Sequence, residues 1–308
     1  MAPKRSLRYR HHGAAYRHKK RRLAKRGLSL PVKLLGVMAL FFALIGLASL
    51  GHWYFGGGRP MVLTVEVIER EISRVDQLEP ITQKQVKPVL YRGAPPLETL
   101  TIDEKKRRFI EMILPAVLIA KHNQDVARNR VEAILAKQYP TLEEQRYIRH
   151  LLARYRTTKT DILLSRLSTH PTSIVLAQAA LESGWGTSRF FKEANNLFGV
   201  WSFNPSEPRI AANATRSGRP IFLKRYESPL HSIEDYFKTV GSSRSFEQFR
   251  DARLRNSDPF HLIRFLGFYS EQRQLYIDKL HRVVESNNLT EYDNYELDAS
   301  YLKLKAAP

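Results

Sequence analysis

Residues 34–55, LLGVMALFFALIGLASLGHWYF, run for twenty-two positions without a formal charge. No other feature constrains the chain as strongly. At about 1.5 Å per residue, a helix of that length covers roughly the 30 Å hydrocarbon core of a bilayer. The stretch therefore predicts a single transmembrane helix, with Trp53 and Tyr54 at the depth of an interfacial aromatic belt. Twelve Lys or Arg precede it, and only Arg59, Arg70 and Arg74 fall in the twenty residues that follow. By the positive-inside rule the N-terminus is cytoplasmic and the rest of the chain lies across the membrane. A cleaved signal peptide is the competing reading, with Gly46 and Ala48 near a cut, but both its apolar and its basic regions are longer than such a peptide uses.

The formal net charge of +20 would ordinarily suggest a nucleic-acid partner, and its distribution argues otherwise. Residues 1–59 contain thirteen Lys or Arg and no Asp or Glu, whereas residues 60–308 hold 37 basic against 30 acidic residues. The excess belongs to a basic cytoplasmic tail, 1–33, with too little apolar surface to repay the entropy of folding. Beside a membrane such a tail serves orientation and attraction to anionic lipid, so the membrane is the expected partner and no nucleic acid is. A hydrophobic content of 43% calls for a globular body beyond it. The absence of cysteine excludes disulfide and thiolate chemistry.

Past the apolar stretch, GGGRP at 56–60 breaks the helix, and residues 56–100 carry prolines at 80, 88, 95 and 96. They read as a stalk or irregular arm with one strand at Met61–Val67. From Thr101 the apolar residues Phe109, Ile110, Ile113, Leu114, Val117 and Leu118 recur at helical spacing, which predicts one long helix or two meeting near Pro115. Further helices are expected at 142–156 and 159–167, completing a helical pre-domain, 101–167. In the domain at 168–290, Pro171 suits the first turn of a helix that runs to Glu182 or Ser183. TSRFFKEA makes a short helix, and NNLFGVWSF is a loop entering a strand.

RIAANATRSGRPIFLKRY reads as a β-hairpin turning at RSGR. Ser228 with Pro229, Asp258 with Pro259, and Ser270 are helix starts, and 291–308 is a C-terminal tail. The fold class is mainly α (α+β), with one small β element. Histidines occur singly, without the pairing a zinc site requires, and there is no phosphate-binding glycine loop, so neither a metal nor a cofactor is expected.

Within LAQAALESGWGTSRF, residues 176–190, an apolar helix ends on Glu182 and then on two glycines flanking Trp185. A carboxylate in the last helical turn meets the negative end of the helix dipole, and burial against Leu181, Trp185 and Phe190 would add a desolvation cost. Both effects favour the protonated form, which is the state a general acid needs. Gly184 and Gly186 let the backbone turn and let a bulky ligand approach. The plainer reading makes Glu182 a surface residue, Trp185 a core plug and Gly184 a left-handed cap. Trp185 and Trp201 fall within seventeen positions, with Phe190, Phe191, Phe198 and Phe203 and the amides Asn195 and Asn196 among them. Flat faces and amides of that kind suit a sugar-binding groove.

AQAALESGWGTSRF, NNLFGVW, LKRYESPLHSIEDYF and LGFYSEQRQLYIDKL together resemble the glucosaminidase domain of glycoside hydrolase family 73. The preceding RRFIEMILPAVLIAKHNQ is similar to the region before that domain in the bacterial Bax-like family. The resemblance spans about 103–285. It implies a lysozyme-like helical domain with a small β-hairpin lobe that cleaves β-1,4 bonds after N-acetylglucosamine in peptidoglycan. On the same resemblance Glu182 occupies the catalytic acid position and Tyr226 lies across the groove. Asn196, Phe198 and Gly199 line that groove, with Trp185 and Trp201 as aromatic candidates.

Many members carry a second carboxylate on the hairpin, whereas RIAANATRSGR has none, and Glu207 is the nearest substitute. The 2-acetamido group of the substrate can then serve as internal nucleophile; the alternative has Glu207 activating water. The resulting expectation is a membrane-anchored, periplasmic hydrolase acting on glycan strands, its protein partners unknown. A non-catalytic wall-binding protein and a lytic transglycosylase are the rival classes.

Overall fold

The computed structural model describes residues 61–216 and 218–306. The apolar stretch 34–55 and the basic tail lie outside them. Among the described residues no helix is long and apolar enough to cross a membrane.

The first helix, α1 (Ile102–Leu135), is continuous for 34 residues. Its start is marked by Thr101, whose side chain accepts from the Glu104 N–H. The sequence left open a break at Pro115, and the structure passes straight through it. A proline inside a helix costs roughly 3 kcal/mol. Phe109, Met112, Ile113, Leu114, Val117 and Ile119 around it are all but completely buried. At about 1.5–3 kcal/mol apiece, their burial outweighs that cost. From 109 to 120 every residue is buried, so α1 is a central helix and not an amphipathic surface one.

Helices α2 (Leu142–Arg154) and α3 (Thr160–Leu167) close a small satellite core against Val131. Helix α4 (Thr172–Ser183) packs against α1, and the short α5 (Arg189–Ala194) follows it. Helices α6 (Pro229–Ser242), α7 (Glu247–Arg253), α8 (Pro259–Ile263) and α9 (Gln274–Ser286) complete the helical body. Asp258 caps α8 as expected, accepting from the Phe260 and His261 N–H groups. Ser270 does not cap α9: the chain makes a turn at 271–273, with Arg273 at φ 44°, and the helix starts four residues later than Ser270.

Strands come as four two-stranded ribbons. β1 (Met61–Val65) pairs antiparallel with β8 (Leu302–Ala306), and β2 (Ile68–Glu71) pairs parallel with β4 (Val89–Arg92). β3 (Gln85–Val86) pairs parallel with β7 (Glu296–Leu297). The hairpin lobe is β5 (Arg209–Arg216) against β6 (Arg219–Lys224), with a register shift between Ala211 and Thr215.

These pairings differ from the expected stalk at 56–100 and tail at 291–308. The two segments pair with each other, and Leu78, Val86, Val89, Leu90, Tyr91 and Leu97 enter the same core as α1. Ile68–Glu71 and Val89–Arg92 satisfy each other within the segment, whereas Met61–Val65 and Gln85–Val86 find their backbone partners only in 296–306. The expected strand Met61–Val67 accordingly ends at Val65, and its neighbour begins at Ile68 with a different partner.

Candidate active site

Ile174, Val175, Leu176, Ala177, Ala179 and Ala180 bury α4 almost completely. Two long polar side chains interrupt it, Gln178 and Glu182, one turn apart and therefore on one face. Gly184 ends the helix in the left-handed region at φ 59°, followed by Trp185 at 57° and Gly186 at 79°. The turn is held by the Trp185 N–H donating to Ala180 O (2.8 Å), the Gly186 N–H to Ser183 Oγ (2.9 Å) and the Ser188 N–H to Ser183 O (2.9 Å).

A Cβ at Gly186 would lie 2.9 Å from Phe109 and 3.1 Å from Leu97. This glycine admits the core to the turn, where the sequence suggested space for a ligand.

Burial raises the pKa of Glu182, and a hydrogen bond from the Tyr276 hydroxyl opposes that rise without cancelling it. No cation among the described residues contributes. Glu182 is consequently a carboxyl biased toward its protonated state, in a site whose other nearby titratable groups, Tyr276 and Tyr269, are buried phenols.

At the hairpin, Tyr226 donates its hydroxyl to Asp235 (2.8 Å), and the Lys224 ammonium reaches the same Asp235 oxygen at 2.9 Å. Burial, then the charge of Asp235, keeps Tyr226 a neutral phenol. Burial alone would raise Asp235, but its hydrogen bonds from Lys224 and Tyr226, with the charges of Lys224 and Lys238, hold it below the usual carboxylate range. Glu207 accepts from Ser202 Oγ (2.7 Å) and stands 3.9 Å from Lys224. Glu207, Lys224, Tyr226 and Asp235 line one cavity of about 440 Å³, which does not include Glu182. Tyr269 lies within electrostatic reach of both Glu182 and Tyr226.

The expected groove residues divide by burial. Asn196 is buried, and its side chain is committed to backbone: it donates to Val200 O (3.0 Å) and Lys224 O (2.9 Å) and accepts from the Val200 N–H (2.9 Å). Phe198 is buried too, stacked on Tyr236 with ring centroids 4.4 Å apart. Neither lines a groove; they brace the loop from behind, because loop backbone turned inward must find hydrogen-bond partners there. Gly199 has φ 65° and open space where a Cβ would stand. Trp185 packs edge-on against Phe109 (5.7 Å), with the Lys106 ammonium 5.5 Å from its ring centre. Trp201 is 36% exposed, and beside it Phe203 is 82% exposed, the rings 6.1 Å apart.

Sequence reasoning assigned no role to Gln178, Asp235, Tyr269 or Tyr276. Gln178 carried a signal, since it stands one turn before Glu182 in an otherwise apolar helix. The others come from distant segments, and only folding brings them in.

Residues 161–289 match the family model for mannosyl-glycoprotein endo-beta-N-acetylglucosaminidase, the Glucosaminidase family. Residues 161–289 are thus similar to a glucosaminidase domain, and that match takes in less than half of the chain. Among curated proteins, the chain is 26% identical to Protein bax of Escherichia coli K12 over 200 residues, covering 59% of this chain and 70% of that protein. It is 24% identical to Exo-glucosaminidase LytG of Bacillus subtilis over 144 residues, covering 44% of this chain and half of LytG. Among solved structures, the catalytic domain of the autolysin Auto from Listeria monocytogenes is 25% identical, at 54% coverage of this chain and 96% of that one, with a TM-score of 0.34. A peptidoglycan hydrolase from Sphingomonas sp. A1 is 26% identical, at 46% and 86% coverage, also with a TM-score of 0.34. The match supports a hydrolase, with α4, the Glu182 turn and the hairpin all inside the matched range.

Proposed function

We propose that the protein is a peptidoglycan hydrolase that cleaves the β-1,4 bond after N-acetylglucosamine, with Glu182 as general acid and then general base. The observation that carries this reading is the half-buried Glu182 carboxyl at the end of α4, biased toward its protonated form with no cation of the described residues acting on it. Such a group can deliver a proton to a glycosidic oxygen near neutral pH.

In the first step Glu182 protonates the leaving oxygen while the 2-acetamido oxygen of the substrate attacks the anomeric carbon and the glycosidic bond breaks. In the second the Glu182 carboxylate takes a proton from water as that water opens the oxazolinium ring, which restores the acid and leaves a reducing N-acetylglucosamine end. The substrate supplies the nucleophile because no second carboxyl shares the Glu182 environment. Glu207 is engaged by Ser202 and stands near Lys224, in the cavity at the hairpin. Tyr226 gives its proton to Asp235, so its oxygen serves as an acceptor, and it is a positioning residue in this scheme. Trp201 and Phe203 offer exposed flat faces for sugar rings.

The apolar stretch 34–55, preceded by twelve basic residues, supports an anchor in the cytoplasmic membrane with the catalytic domain on the periplasmic side, where peptidoglycan lies. The test is mass spectrometry of peptidoglycan digested by the protein. Reducing N-acetylglucosamine ends are expected. Anhydromuramic ends would instead make it a lytic transglycosylase. Binding without any product would make it a wall-binding protein.

A further inference from the structure

The reaction above makes no use of the cavity of about 440 Å³ at the root of the hairpin, whose walls come from three separate parts of the chain. His150 and Arg154 stand one turn apart and share a face of α2. On α6, His231, Asp235 and Lys238 recur at helical spacing, with Glu234 beside them. Lys224 ends β6, Arg225 follows it, and Glu207 stands just before β5.

The carboxylates of the cavity are already engaged. Asp235 accepts from Lys224 Nζ (2.9 Å) and the Tyr226 hydroxyl (2.8 Å), Glu207 from Ser202 Oγ (2.7 Å) and Glu234 from Asn123 Nδ2 (3.0 Å). Its donors are in surplus. Arg154 and His150 make no hydrogen bond or ion pair with the described residues. Arg225 uses only Nη1, on the Glu193 carbonyl, and Lys238 comes no nearer to Asp235 than 3.8 Å. A guanidinium carries five N–H donors and an ammonium three, neither with an acceptor, so a ligand for this cavity must bring negative charge and acceptor oxygens. The planar fork of an arginine matches a carboxylate in both respects.

We propose that this cavity is an exosite that binds carboxylates on the peptide stems of peptidoglycan, with Arg154 as the principal contact and His150 and Lys238 beside it. That the carboxylates come from peptidoglycan rests on the hydrolase reading above, whereas the anionic character of the ligand does not. The cavity does not include Glu182, and α2 lies outside the residues 161–289 that match the glucosaminidase family, so the exosite is an addition made by the helical pre-domain. A strand held at two separated places binds the second time from a high effective concentration. The exosite therefore strengthens the grip on a long polymer and leaves the chemistry at Glu182 as it is, which is an effect on KM and not on kcat.

The experiment compares variants of the full chain on peptidoglycan and on the same glycan freed of its stem peptides, with reducing-end release for KM and kcat and sedimentation for Kd. On peptidoglycan, Arg154→Gln is expected to raise KM about tenfold with kcat within twofold, and His150→Gln to raise KM about threefold. On the stripped glycan the wild type should bind as weakly as Arg154→Gln. Arg149→Gln removes the same charge from the same helix at a position that does not line the cavity, and should leave KM within twofold. Arg149, His150 and Arg154 are all exposed, so none of these changes threatens the fold.

An unmoved KM in Arg154→Gln, an equal rise in Arg149→Gln, or a difference between wild type and Arg154→Gln that persists on the stripped glycan overturns the proposal. If the wild type hydrolyses nothing, the hydrolase reading falls and sedimentation decides for the exosite: binding of peptidoglycan about tenfold weaker in Arg154→Gln upholds it, and equal binding overturns it.

Discussion

Glu182 at the end of α4 and Asp235 within α6 are carboxyls in comparable settings, each half-buried and each beside a tyrosine hydroxyl, Tyr276 and Tyr226 respectively. Burial pushes both upward, yet Glu182 ends above its usual range and Asp235 below it. What separates them is cations. Lys224 stands 2.9 Å from Asp235 and Lys238 3.8 Å, whereas no cation among the described residues acts on Glu182. Burial alone therefore does not mark the acid; burial without a counter-charge does. A buried polar cluster that includes a lysine, as at the hairpin, sets a fixed carboxylate that can anchor Tyr226 and takes no part in proton transfer near neutral pH.

The largest expected effect tests that division. Glu182→Gln removes the transferable proton and should lower turnover about 10³-fold, while binding to wall material changes little. Reducing-end release and sedimentation with peptidoglycan measure the two, and equal turnover in both proteins would sink the mechanism. Next, Lys224→Met takes the nearest cation from Asp235. Its carboxyl should then titrate higher than in the wild type, with Lys238 still in place, as read by carbon-13 shifts. No change would mean that the lysine does not distinguish the two sites.

Glu207→Gln is expected to lower kcat by less than about fivefold, since this carboxyl is partly exposed and engaged by Ser202. A loss as large as that of Glu182→Gln would instead make Glu207 the base of an inverting reaction. The smallest effect is on stability. Glu182 has a folded pKa above its unfolded value, so its charged form costs the folded state stability at neutral pH, and the cost disappears below the unfolded value near 4.3. Glu182→Gln should accordingly melt a few degrees higher at pH 7, with the gain shrinking as pH falls through the folded pKa to nothing at about pH 4. A gain that persists at pH 4 would assign the stabilisation to packing.

The amino-acid sequence by itself determined most of the helices, though neither α7 nor the start of α9. Apolar spacing marks α1 through α4, the proline and capping signals mark α6 and α8, and the β-rich run around RSGR marks the hairpin. It also placed Glu182 at a helix end beside a glycine turn, because caps and periodicity are local properties that a short stretch of chain carries within itself. Tertiary structure alone decided the pairing of 61–92 with 296–306, since neither segment contains its partner's register. It also decided that Gly186 yields to Phe109 and that Asn196 and Phe198 face inward, both being matters of what lies opposite. The absence of any cation of the described residues at Glu182, and the hydrogen bonds that join residues 170, 236, 178 and 276, depend on contacts between helices. Electrostatics acts through space, and the order of residues along the chain does not encode which charges will meet.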